Sequence, residues 1–106
     1  MVEQYIFVDD VTAQSQVPEN GILSRTLQND DRSKLVLFSF APAQELSAHT
    51  APYPAILTFL KGKAALRLAG DLHEAGAGTV VYMPAGLEHG IQAKSELIVL
   101  LTMIKR

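Results

Sequence analysis

The sequence predicts an all-β fold, built as a sandwich or a jelly-roll barrel. Two observations carry this. Short runs rich in β-branched and aromatic residues recur at spacings of the order of 8–12 residues, with Gly, Pro, Asn and Asp clusters between them. No window shows a sustained helical period flanked by caps. Many short strands separated by Gly/Pro turns indicate a sandwich or barrel.

The elements follow in order. Gln4 to Val8 (QYIFV) reads as a short strand ending at Asp9-Asp10. Ser15 to Gly21 (SQVPENG) is a loop. Ile22 to Leu27 alternates Leu23/Arg25/Leu27 against Ile22/Ser24/Thr26, a half-buried strand. Gln28 to Ser33 is a polar turn. Lys34 to Ala41 (KLVLFSFA) is apolar on both faces and so predicts a central strand. Ala41 to Glu45 breaks the pattern, and Leu46 to Thr50 follows with His49. Pro52 and Pro54 forbid a regular central strand across Ala51 to Pro54. Ala55 to Leu60 is a strand, closed by the hairpin signal Lys61-Gly62-Lys63, and Ala64 to Ala69 pairs back. That last stretch leans helical in propensity but is short and follows a hairpin turn. After the Gly70-Asp71 turn comes a short strand to Ala75, then Gly78 to Met83. Ile91 to Ala93 continues from His89, and Leu97 to Ile104 is the last strand. The total is about ten strands.

Length and composition bound the function. The chain has 106 residues, enough for one domain, residues 1–106, and 48% of them are hydrophobic. Nine Lys and Arg against eleven Asp and Glu give a formal net charge of −2, with no basic cluster. Nucleic acid and an anionic membrane surface are therefore not expected partners. There is no cysteine, which excludes disulfides, thiolate metal sites and cysteine catalysis. The start, MVEQYIFVDD, has acids where a signal peptide needs positive charge. No apolar run approaches the roughly 18 residues of a membrane helix. A soluble cytoplasmic domain is the expectation.

Gly78 to His89, GTVVYMPAGLEH, is the most informative stretch. It is a strand, a hard turn at Pro84-Ala85-Gly86, and then a histidine aimed by the next strand. Gly78, five residues, Pro84, one residue, Gly86, two residues and His89 resemble the second sequence motif of the cupins. Ala93 stands where that motif often ends in Asn. Upstream, AHTAPYPAILTFLKG, Ala48 to Gly62, resembles an eroded first motif. His49 stands at the first metal-binding histidine, Ala51 at the second, and Ala55 at the glutamate, seven positions before Gly62. Ala43 replaces the opening glycine. The resemblance spans Ala43 to Ala93. It implies a double-stranded β-helix (jelly-roll) barrel of the cupin type, a degenerate first motif, frequent dimerisation, and a metal or small molecule inside.

The resemblance also implies a site of three histidines and a glutamate, suited to one divalent metal, Fe, Mn, Ni, Cu or Zn. Only His49 and His89 of those four remain. Glu45 is four residues from His49, hence on the same face, but about 13 Å away at about 3.3 Å per residue. Glu88 adjoins His89 and points to the opposite face. Tyr53 sits in a Pro-bracketed bend that can swing inward, and Gln44 reaches the site only through a bulge. His73, in a polar hairpin, reads as an exposed histidine. Arg67 reads as solvent-facing between Leu66 and Leu68. Ser39 and Ser47 show no evident partner, and Pro84 and Gly86 shape the turn.

Beside a structural or partner-binding barrel with no ligand, two readings stay open for the histidine pair. In one, His49 and His89 are polar contacts in an apolar small-molecule pocket walled by Ala51, Ala55, Leu57, Phe59 and Ile91. The protein is then a binding barrel of unknown substrate. In the other, the same histidines are metal ligands, completed by water or substrate, in an oxygenase or isomerase. A homodimer is expected, with the apolar QYIFV segment pairing against a sheet edge of the second subunit.

Overall fold

A computed structural model describes residues 4–106. These residues form a single 3-10 turn, Thr12–Gln14, and nine strands. They are β1 (Ile22–Asn29), β2 (Ser33–Phe40), β3 (Glu45–His49), β4 (Ala55–Lys61), β5 (Lys63–Leu68), β6 (Asp71–Gly76), β7 (Val80–Met83), β8 (His89–Ala93) and β9 (Leu97–Ile104). One sheet runs β1-β2-β9-β4-β7 and the other β3-β8-β5-β6, with every pairing antiparallel. The two sheets face each other as a jelly roll.

One expected strand is absent. Gln4 to Val8 has no regular secondary structure, and Tyr5, Ile6 and Phe7 are exposed by 87%, 57% and 79%. Its composition suits a strand, but no neighbouring strand of this chain pairs with it, and β structure requires a partner. The expected count of ten falls to nine among the described residues for that reason.

The core follows the period-two pattern. Ala55, Leu57 and Phe59 point inward from β4, Ala64 and Leu66 from β5, and His89, Ile91 and Ala93 from β8. Leu97 and Val99 meet them from β9. β2 and β9 are central, as the apolar faces of β2 predict. Leu37 and Ile98, on the outer face of their sheet, are also buried, each 1% exposed. The segment before β1 lies over this face. The Gln16 backbone N–H donates to Ser39 Oγ at 3.3 Å, so Ser39 has a partner that its sequence neighbourhood does not show.

The β1–β2 turn is held by Asp30. Its Oδ1 accepts backbone N–H bonds from Arg32 at 2.8 Å and Ser33 at 2.9 Å. Those donors hold the Asp30 carboxyl below its ordinary pKa.

Two local devices aim the histidines. β3 carries a bulge: Leu46 pairs with Ile91 and His49 with His89, so three steps on β3 match two on β8. Opposite the bulge sits Gly90, where a Cβ would lie 3.1 Å from Ala48 N and 3.2 Å from Leu46 O. The absent side chain lets β3 approach. The second device is the turn before β8. Leu87 N donates to Pro84 O at 3.3 Å across Gly86, whose φ of +84° suits glycine. Gly86 N donates to Ala51 O at 2.9 Å and ties this turn to the Pro52/Pro54 segment.

Candidate functional site

His49 and His89 meet across the β3–β8 ladder. Their ring centroids are 4.4 Å apart and the rings are tilted by 54°. His89 is buried, 8% exposed, while His49 stands at the exposed end of β3. Each imidazole is fixed in the same way. His49 Nδ1 lies 2.8 Å from Ser47 O, and His89 Nδ1 lies 2.9 Å from Leu87 O. A carbonyl only accepts, so both Nδ1 atoms carry the proton. Neither Nε2 has a hydrogen-bond partner among the described residues, which leaves two bare lone pairs in the neutral rings. No sealed side-chain nitrogen or oxygen lacks a partner among those residues. The His89 Nε2 is therefore open to the cavity space and not shut in the packing.

Two cavities share this pair and Leu101. The outer one, about 90 Å³, is lined by His49, Ala51, Tyr53, Ala55, Met83, Pro84, Leu87, His89, Leu101 and Met103. The inner one, about 70 Å³, is lined by Phe38, Phe40, Leu46, His49, Leu57, His89, Ile91, Val99 and Leu101. One water needs roughly 10–15 Å³ on this measure, so each cavity suits a compact guest. No Asp, Glu, Lys or Arg lines either.

Four of the five expected wall residues border these cavities. Ala51 and Ala55 border the outer cavity, and Leu57 and Ile91 the inner one. Phe59 shares their face but borders neither cavity; it is fully buried in the core. Leu46, Phe38, Phe40, Leu87, Leu101, Met83 and Met103 complete the walls. Strand parity reaches the β2 and β9 contributors only once the sheet pairing is known, because they come from distant sequence.

Glu45 does not share the face of His49. The β3 bulge reverses parity between them, and Glu45 lies on the outer sheet face beside Arg67 and Gln92. Arg67 is exposed there, and His73 is exposed on β6. Glu88 is exposed and borders neither cavity, and Gln44 does not reach the pair. Tyr53, 39% exposed, does border the outer cavity.

A two-sheet jelly roll with a histidine pair at its interior cavities defines a class of small barrel proteins. The model of the Cupin domain family matches residues 36–105, and the chain belongs to that family. A conserved Streptococcus pyogenes protein of unknown function is similar over 98% of this chain and 91% of its own, with 28% identity and a TM-score of 0.86. A cupin superfamily protein from Desulfitobacterium hafniense covers 97% of each chain, with 22% identity and a TM-score of 0.87. The polyketide cyclase RemF of Streptomyces resistomycificus is more distant. It has 24% identity and a TM-score of 0.72, over 85% of this chain and 71% of its own. No curated protein matches the chain.

The four-ligand metal set implied by the cupin resemblance does not fit these residues. No three or more His, Cys, Asp or Glu side chains gather among the described residues. Alanines occupy two ligand positions, and the nearest acid in sequence, Glu45, is turned outward by the bulge.

Proposed function

We propose that this chain is a binding barrel for a small organic molecule, with His49 and His89 as its polar contacts. The observation that carries the reading is the shared tautomer. Both Nδ1–H groups are used by backbone carbonyls, so both Nε2 atoms offer acceptors to a guest in cavities whose other lining residues are apolar except Tyr53. The guest that satisfies them is compact, with a hydroxyl or amino donor and an apolar body. The absence of a carboxylate from the walls argues against the oxygenase or isomerase alternative in its usual hard-metal form.

Titration with phenol, a compact ring with one donor, tests this. The wild-type chain is expected to bind phenol, and His89→Ala to bind it at least tenfold more weakly while keeping its fold. Equal binding by the variant would sink the reading.

A homodimer belongs to the same proposal. Exposed Tyr5, Ile6 and Phe7, together with Val80 and Tyr82 on edge strand β7 (63% and 61% exposed), form apolar surface that a second copy would cover. Light scattering at micromolar concentration is expected to give twice the chain mass. A monomer mass refutes it.

A further inference from the structure

We propose that Leu101 partitions the barrel interior and sets the size of its guest. The chain then accepts a single ring at the histidine pair and gains nothing from a second, fused one. This rests on the organic-guest reading above and adds the feature that limits the guest.

The argument starts from how the strands sort the two cavities. On β9, Val99 borders the inner cavity, Met103 the outer one, and Leu101 between them borders both. On β4, Leu57 borders the inner cavity and Ala55 the outer. On β8, Ile91 borders the inner cavity alone, while His89 borders both. Residues two apart on one strand lie one step further along the same face. The cavities are therefore stacked along the barrel and meet at one level. Only His49, His89 and Leu101 border both, so these three form the waist.

Two of the three are the polar contacts, with rings held by the Ser47 and Leu87 carbonyls. Leu101 is the apolar member. Its strand is central, between β2 and β4, and Leu101 pairs with Val36 on one side and Leu57 on the other. Both neighbours are buried, and close packing leaves the leucine little room to step aside. Cutting its side chain back to a methyl would join spaces of about 90 and 70 Å³ into one larger than the two together.

The consequence concerns fused rings. A naphthol whose hydroxyl meets Nε2 must send its second ring through the waist or out into water. Leu101 blocks the first course, and the second buries nothing. A second ring that could be buried would instead strengthen binding, because affinity grows with the apolar area removed from water.

The test is titration of the full chain with phenol and with 2-naphthol. The wild type is expected to bind 2-naphthol no more tightly than phenol. Leu101→Ala is expected to raise the 2-naphthol to phenol affinity ratio by about tenfold or more. Leu101→Val, the milder truncation, is expected to move that ratio in the same direction. Tighter binding of 2-naphthol than of phenol by the wild type overturns the partition. So does an unchanged ratio in a variant that folds, or a folded variant that binds neither compound, since Leu101 would then be a contact and not a divider. The wild-type comparison decides even if both variants misfold. Phenol bound by the wild type with the ratio unmoved overturns the partition alone. Neither compound bound by the wild type overturns the organic-guest reading and the partition with it.

Discussion

Phe59→Ala is expected to lower the unfolding free energy by about 3–5 kcal/mol. Phe59 is fully buried and belongs to the central cluster with Phe40, Leu57, Leu66, Leu97 and Val99. Domains of this kind carry roughly 5–15 kcal/mol in total, so the loss takes a large share of it. The ring borders neither histidine cavity, and the fraction still folded is expected to bind phenol as the wild type does. Urea unfolding with a parallel phenol titration reads both. A loss below about 1 kcal/mol, which a well-filled core does not allow, would contradict the packing described. Normal stability with lost binding would return Phe59 to the pocket wall.

Gly90→Val is expected to couple stability to the site. A Cβ at Gly90 already meets the backbone of Ala48 and Leu46 at 3.1–3.2 Å, and valine adds two methyls against the β3 bulge. Overpacking of this sort costs about 1–3 kcal/mol. The relief is movement of β3, which carries His49 and the Ser47 carbonyl that fixes its ring. Phenol affinity is therefore expected to fall at least tenfold in protein that remains folded by circular dichroism. Unchanged affinity would mean that the bulge does not set the position of His49. Phe59→Ala thus tests the core without the site, and Gly90→Val tests the link between them.

Much of this architecture was legible in the chain. Period-two alternation and Gly/Pro punctuation locate β1 to β9 within a residue or two, because each strand buries one face and each turn needs its own residue chemistry. The outer burial of Leu37 and Ile98 is legible in part, as the two apolar faces of β2. Gln4 to Val8 failed because strand propensity describes a residue's fit to a sheet and says nothing of whether a partner exists. Glu45 failed for a different reason. One extra residue at Ser47-Ala48 reverses the parity of β3 between Glu45 and His49, and no turn residue announces it. Gly90 is the nearest sequence signal, since a glycine inside a strand marks a bulge or close approach. For the candidate site, the meeting of His49 and His89 was implied by the cupin resemblance. The place of Met83 and Met103 in the outer cavity wall was not, because it depends on the strand order β9-β4-β7.

The central claim is that two neutral imidazoles, each fixed by a backbone carbonyl, present bare Nε2 atoms to a guest. A long-range ¹H–¹⁵N correlation spectrum of the histidine side chains reads it directly at pH 8.5, above the ordinary imidazole range. Exposed His73 serves as the internal reference. The account predicts the Nδ1–H tautomer for both His49 and His89, and movement of both Nε2 resonances on addition of phenol, with His73 unmoved. A proton on Nε2 of either ring, or Nε2 resonances that stay still while phenol binds, would contradict it.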